Sequence, residues 1–204
     1  LLHGDVHKAQ TQLFHHGLFA VVAGDEPVGR LTDAADVLAA EAGLGLVSLQ
    51  QNLYLCCNLL NVTVENFTGA AVFVEEAAML HDIGIFLCQA EAIHCHGEHK
   101  YIEHGYLGAE LLRQEGLPKH ALVAERHTGT GITMEQVEWT KIPIPLQDYC
   151  PVTLEEKIIC YADKFYSKTH IGEEKPMSKI KQQLWKHGQE SVLRWEALVA
   201  LMES

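Results

Sequence analysis

The chain has 204 residues, 48% of them hydrophobic and 21% charged. That is enough apolar material for one sizeable core, and it excludes broad disorder. A formal net charge of −12 makes general nucleic-acid binding unfavourable, since so acidic a surface repels polyanions. A small phosphorylated substrate is still allowed, because a bound metal ion supplies local positive charge.

The chain opens on Leu1 rather than Met, which reads as a fragment or a trimmed chain. Residues 1–71 are hard to read. A helix is expected over Lys8–Ala23, with Leu18, Phe19 and Val22 on its apolar face. A turn follows around Pro27, then a helix over Thr32–Ala42 with Thr32 as N-cap and Gly43 as stop. Residues 44–74 show no clean period. No apolar run reaches the roughly 18–20 residues of a membrane span, and no signal peptide is evident. The sequons at Asn61-Val62-Thr63 and Asn66-Phe67-Thr68 are of a kind common by chance.

From residue 72 onward the pattern is helical. Val74–Leu87 reads as a buried helix carrying His81 and Asp82, and Ala90–Lys100 as a polar, His-rich loop. A helix over His104–Glu115 stops at Gly116; Pro118 starts another in its first turn, running to His127. Thr128-Gly129-Thr130-Gly131 breaks it. Pro143, Pro145 and Pro151 make residues 140–152 an extended connection. Thr153, with Glu156 three residues on, has the pattern of a capping box opening a helix through Asp163 to about Ser167. Two helices close the chain, one from near Pro176 to Gly188 and one over Glu190–Met202. The expected fold class is all-α. Residues 72–204 form its main unit, and 1–71 belong to that domain or stand apart.

The six cysteines, Cys56, Cys57, Cys88, Cys95, Cys150 and Cys160, match neither a zinc knuckle nor a disulfide framework. They read as reduced thiols of a cytoplasmic protein. Thirteen histidines are a first pointer to metal. Asp82 stands inside the apolar run Ala77–Phe86, and Asp163 inside Ile158–Phe165. A buried carboxylate without a partner is costly, so each aspartate requires a metal, an ion pair or a hydrogen bond. For Asp163 the neighbouring Lys164 is the simplest such partner. Taken alone, a His-Asp dipeptide is more often satisfied locally.

The constellation says more than its parts. Ala78-Met79-Leu80-His81-Asp82-Ile83-Gly84 resembles the HDIG signature of the HD superfamily of metal-dependent phosphohydrolases. His104-Gly105-Tyr106-Leu107-Gly108-Ala109 resembles its H-x-x-x-G-A helix start, Glu125–Gly131 its H-T-x-G turn, and Tyr161-Ala162-Asp163-Lys164 its terminal A-D-K. The order of these parts over about residues 72–167 is similar to that of YqeK-like symmetrical dinucleoside tetraphosphatases, and more distantly of HD-GYP phosphodiesterases. The Gly-Tyr-Pro of the latter is absent after His127.

The resemblance implies an HD-domain helical bundle with two divalent ions, Fe or Mn, with Zn, Co or Mg as alternatives. It implies that His81, Asp82 and Asp163 hold the first ion. Asp82 would bridge to a second, bound also by His104 and His127, activating a water for in-line attack on phosphorus. Asp82 and Lys164 are the candidate catalytic residues, and Arg126 and His96 the candidate substrate contacts. Arg126 could equally serve a surface ion pair, and His96 lies in what reads as a solvated loop. Two departures stand out. The family's upstream His has no counterpart between Gly17 and Leu80, which leaves His15 or His16 if residues 24–72 are an insertion. Ile85 also stands where many relatives carry a Lys or Arg.

The expected function is therefore hydrolysis of a phosphoester or phosphoanhydride in a small nucleotide, by a protein with no general nucleic-acid or membrane partner and with a homodimer allowed. A catalytically weak nucleotide or metal sensor and a di-iron oxygenase of the same fold are the alternatives. His120 reads as an exposed helix residue, and Trp185 and Trp195 as packing residues.

Overall fold

The computed structural model describes residues 68–169 and 173–203. The helices expected before residue 68, and His15 and His16 with them, lie outside the described residues. Among the described residues seven α-helices carry the fold: α1 (Thr68–Leu80), α2 (His104–Gln114), α3 (Pro118–Arg126), α4 (Met134–Thr140), α5 (Leu154–Ala162), α6 (Met177–Trp185) and α7 (Gln189–Met202). The architecture is the expected all-α one, with a minor sheet inserted between α1 and α2. No helix among the described residues is long and apolar enough to cross a membrane.

Helix ends follow local chemistry. Gly116 takes a left-handed φ of +76° just past α2, where a side chain would be strained. Pro118 opens α3, where its missing N–H is no loss. Thr153 caps α5 by accepting from the Glu156 N–H at 3.3 Å. The reciprocal half of that capping box is not made. The Glu156 carboxylate accepts instead from the Val152 N–H at 2.6 Å and from Arg126.

Three stretches differ from expectation. The helix expected over Val74–Leu87 stops at Leu80, and a 3-10 turn over Ile83–Leu87 follows after His81 and Asp82. Close packing explains the break. Gly84 lies against α2, where a Cβ would come within 2.1 Å of the His104 carbonyl oxygen and 2.4 Å of the Gly108 nitrogen. The helix expected to run to about Ser167 likewise ends at Ala162, with Asp163 as its C-cap. The expected loop over Ala90–Lys100 contains short strands β1 (Cys88–Ala90), β2 (Cys95–His96) and β3 (His99–Lys100) in the order β2-β1-β3, with β1 antiparallel to β2 and parallel to β3. Ile85, Ile93 and Cys95 form the apolar pad beneath the strands, so Ile85 serves packing.

The core is made of several apolar clusters between the helices. Val74, Ala77 and Ala78 of α1 meet Val123 of α3 and Ile158, Ile159 and Ala162 of α5. Leu80 joins Ala109, Leu112, Ala121 and Ala124 between α1, α2 and α3. Behind α5, Tyr161 stacks on Trp195 with ring centroids 5.1 Å apart, among Ile180, Leu184 and Val192. Trp195 packs as expected, but Trp185 is 62% exposed because it falls on the outer side of α6. His120 is buried rather than exposed: its Nε2 lies 3.1 Å from Glu76 Oε2, and its ring packs edge-on to Phe73. These contacts tie α3 to α1.

Candidate metal centre

Four helices meet end to end, and every expected ligand stands at one of those ends. His81 and Asp82 directly follow α1, His104 is the first residue of α2, His127 caps α3 and Asp163 caps α5. Gly84 and Gly108 let the turn after Asp82 press onto α2, which brings His104 alongside the aspartate.

The three imidazoles are oriented in the same manner. Nδ1 of His81, His104 and His127 donates to the carbonyl three residues earlier, of Ala78, Tyr101 and Ala124, at 2.6, 2.6 and 2.8 Å. At the ends of α1 and α3 those carbonyls belong to the last turn, where helix geometry leaves them without a main-chain donor. With Nδ1 so engaged, Nε2 of each ring points inward.

These nitrogens converge on two carboxylates. His81 Nε2 is 3.0 Å from Asp82 Oδ2 and 3.5 Å from Asp163 Oδ1. His104 and His127 Nε2 lie 3.5 and 3.3 Å from Asp82 Oδ1, and 3.1 Å from one another. All five expected ligands are thus brought together, in two overlapping sets: His81, His127 and Asp163, and Asp82, His104 and His127.

The donors suit a cation. Asp82 Oδ1, Asp82 Oδ2 and His81 Nε2 are buried without a hydrogen bond, although His81 and Lys168 approach Asp82 Oδ2 at 3.0 and 2.7 Å. Native structures leave few buried polar atoms in that condition, and a bound ion is one remedy. Two imidazoles with Nδ1 engaged and Nε2 atoms 3.1 Å apart bring two lone pairs face to face when both are neutral, a repulsion that a cation between or beside them relieves. Burial, reinforced by the nearby His127, depresses His104 to a pKa of about 3, and burial lowers His127 as well. Neutral imidazole is the ligand form. Burial also opposes charging His81, but Asp82 and Asp163 outweigh it and raise its pKa to about 10. Both aspartates are held well below the ordinary carboxylate range despite burial. Asp82 is so held chiefly by His81 and Lys168, and Asp163 by Lys164 and Lys168.

Metal binding and neutralisation by basic side chains are the two ways to satisfy these aspartates, and the structure shows the means for both. Lys164 Nζ is 2.6 Å from Asp163 Oδ2. Lys168 Nζ is 2.7 Å from Asp82 Oδ2 and 3.6 Å from Asp163 Oδ1. Neither lysine accounts for three inward-facing imidazoles. Lys168 carries no signal in the sequence, because it follows the last recognisable motif and sits in no periodic element.

The two expected substrate contacts are placed as follows. Arg126 Nη1 lies 3.1 Å from both Glu156 oxygens and so joins α3 to α5. His96 is exposed on β2. His99 reaches Glu103 at 3.3 Å. None of the histidines of the β1–β3 region joins a metal-holding group among the described residues. Among the described residues Cys88, Cys95, Cys150 and Cys160 form no disulfide.

Among known proteins, the chain is 46% identical over 91 residues to an uncharacterized protein of Methanocaldococcus jannaschii, covering 44% of this chain and 46% of that one. It is 36% identical over 99 residues to a tRNA (cytidine(56)-2'-O)-methyltransferase of Picrophilus torridus, covering 48% of this chain and 25% of the enzyme. It is 33% identical over 110 residues to the methyltransferase of the same name from Thermoplasma volcanium, covering 53% and 29%. The chain therefore spans less than half the length of each of these relatives. No solved structure matches it. The family model for the HD domain matches residues 66–167, the segment that holds all five converging ligands, and the chain belongs to that family.

Proposed function

We propose that this chain is a metal-dependent phosphohydrolase cleaving a phosphoester or phosphoanhydride of a small nucleotide with water. The observation that carries the reading is the convergence of three imidazole Nε2 atoms on two buried carboxylates. His81, Asp82 and Asp163 would hold one divalent ion, and Asp82, His104 and His127 a second. Imidazole with carboxylate suits Fe or Mn, and Zn and Co are compatible; Mg would lean on the carboxylates. Bound there, a divalent cation supplies Lewis-acid charge toward a phosphoryl oxygen and makes water nucleophilic near neutral pH.

The chain's own groups supply the positioning. Asp82 presents one oxygen to each half of the centre and would be the carboxylate shared between the two ions. Lys164, beside Asp163, offers a positive charge toward phosphate oxygens as they gain charge. Arg126 acts through the Glu156 pair by fixing α3, and so His127, against α5. His96 remains a candidate substrate contact from its exposed place on β2. Two relatives are named as tRNA methyltransferases. For this chain a net charge of −12 favours a small phosphorylated ligand over tRNA.

Lysines on both aspartates favour one second reading, a metal or nucleotide sensor with little turnover. Metal analysis of the purified protein, followed by a nucleotide panel with and without chelator, decides between them. Hydrolysis abolished by chelator and restored by Mn²⁺ or Fe²⁺ is expected. Bound metal with no turnover of any phosphate compound would establish the sensor, and oxygen uptake with an organic substrate a di-iron oxygenase.

A further inference from the structure

We propose that the ammonium group of Lys168 is a resident cation in one half of the centre, so that the two halves take up divalent ions unequally. This rests on the metal-dependent reading above. Lys168 Nζ stands 2.7 Å from Asp82 Oδ2 and 3.6 Å from Asp163 Oδ1. These are the two oxygens that His81 Nε2 faces, at 3.0 and 3.5 Å. The other oxygen, Asp82 Oδ1, is approached by the rings of His104 and His127 at 3.5 and 3.3 Å. The approach of Lys168 to Asp82 is to Oδ2 rather than to this oxygen.

An ammonium and a divalent ion carry charge of the same sign and seek the same oxygens, so occupancy by one disfavours the other. An ion entering between His104 and His127 meets no such competitor. An ion entering between His81 and Asp163 must displace Lys168. Displacement is feasible because the lysine stem is four flexible carbons long and Lys168 leaves from a loop rather than a helix. The Lys175 N–H donates to the Phe165 carbonyl at 2.6 Å. Lys168 lies one residue beyond the segment matched by the family model.

The test is calorimetric titration of the full chain with Mn²⁺, comparing wild type with Lys168→Met and Lys168→Gln after circular dichroism has shown each to be folded. Wild type should bind one ion tightly and a second at least tenfold more weakly. Either substitution should tighten the weaker site tenfold or more and leave the tighter one unchanged, and His104→Ala should remove the tighter one. In wild type, acetylation of Lys168 read by peptide mass spectrometry should rise several-fold when Mn²⁺ is added, a readout that needs no variant. Equal sites in wild type, an unchanged weaker site in a folded variant, or acetylation indifferent to Mn²⁺ would overturn the inference while sparing the metal reading. A wild-type chain that binds no divalent ion would overturn both.

Discussion

Replacing Gly84 by Ala tests how the centre is assembled. A Cβ there would lie 2.1 Å from the His104 carbonyl oxygen, 2.4 Å from the Gly108 nitrogen and 2.9 Å from the Gly108 Cα. Ordinary contact begins at 3.4 Å, so the first overlap is more than about 1 Å, and every atom met is backbone. No side chain can turn aside; the 3-10 turn or α2 must move. Overpacking of this kind costs about 1–3 kcal/mol and occasionally more, and rigid partners put this case at or above the upper end. For a chain of this size about 2–4 °C of melting temperature accompanies each kcal/mol. Differential scanning calorimetry should therefore record a fall of roughly 6–12 °C. Because the displaced helix carries His104, Mn²⁺ affinity measured by calorimetric titration should fall in the same variant. A Gly84→Ala chain that melts within about 1 °C of wild type and binds Mn²⁺ equally well would refute the claim that this close approach sets the ligand geometry.

Asp82→Ala should abolish metal content, measured by plasma mass spectrometry, together with any hydrolase activity; retained activity would remove Asp82 from its central place. Leu112, fully buried between α2 and α3, should lose about 2–5 kcal/mol on substitution by Ala, read from urea unfolding. Burial pushes the thiols of Cys88 and Cys160 up to about 12. Peptide-resolved alkylation should therefore leave both unmodified in the folded chain and label them only after denaturation. His120 has its pKa lowered, burial being the main cause, so the unfolded chain takes up the proton first. Its share of stability is complete above the unfolded value of about 6.5 and declines as pH falls below it. Melting temperatures from pH 8 to 5 should drop less steeply in His120→Gln than in wild type.

Much of the site is legible in the sequence because its ligands are embedded in strong local signals. Gly116 and Pro118 bracket the boundary between α2 and α3, and an acid in an apolar run advertises a buried partner. The illegible parts have physical causes. The apolar run through Ile83–Leu87 continues the helical pattern past Leu80, and only the tertiary approach of α2 at Gly84 ends the helix there. Strands of two or three residues, as at Cys88–Lys100, are too short to show a period. Helix α4 does carry a signal, Thr133 and Gln136 in a complete capping box, but it lies within a polar segment of low apolar content. Lys168 and His120 depend on partners distant in sequence, Asp82 and Glu76, which no local pattern reports.

The ring hydrogen bonds of His81, His104 and His127 all end on main-chain oxygens. Every amino acid has a carbonyl, so Ala78, Tyr101 and Ala124 can drift in identity without loosening the imidazoles they steady. The outer support of this centre should thus leave almost no trace in aligned sequences, and a search for covarying partners of the three histidines would overlook it. What such drift cannot tolerate is a change in helix length or phase, since a one-residue insertion within α1 or α3 would rotate a ligand by about 100° while leaving every motif intact.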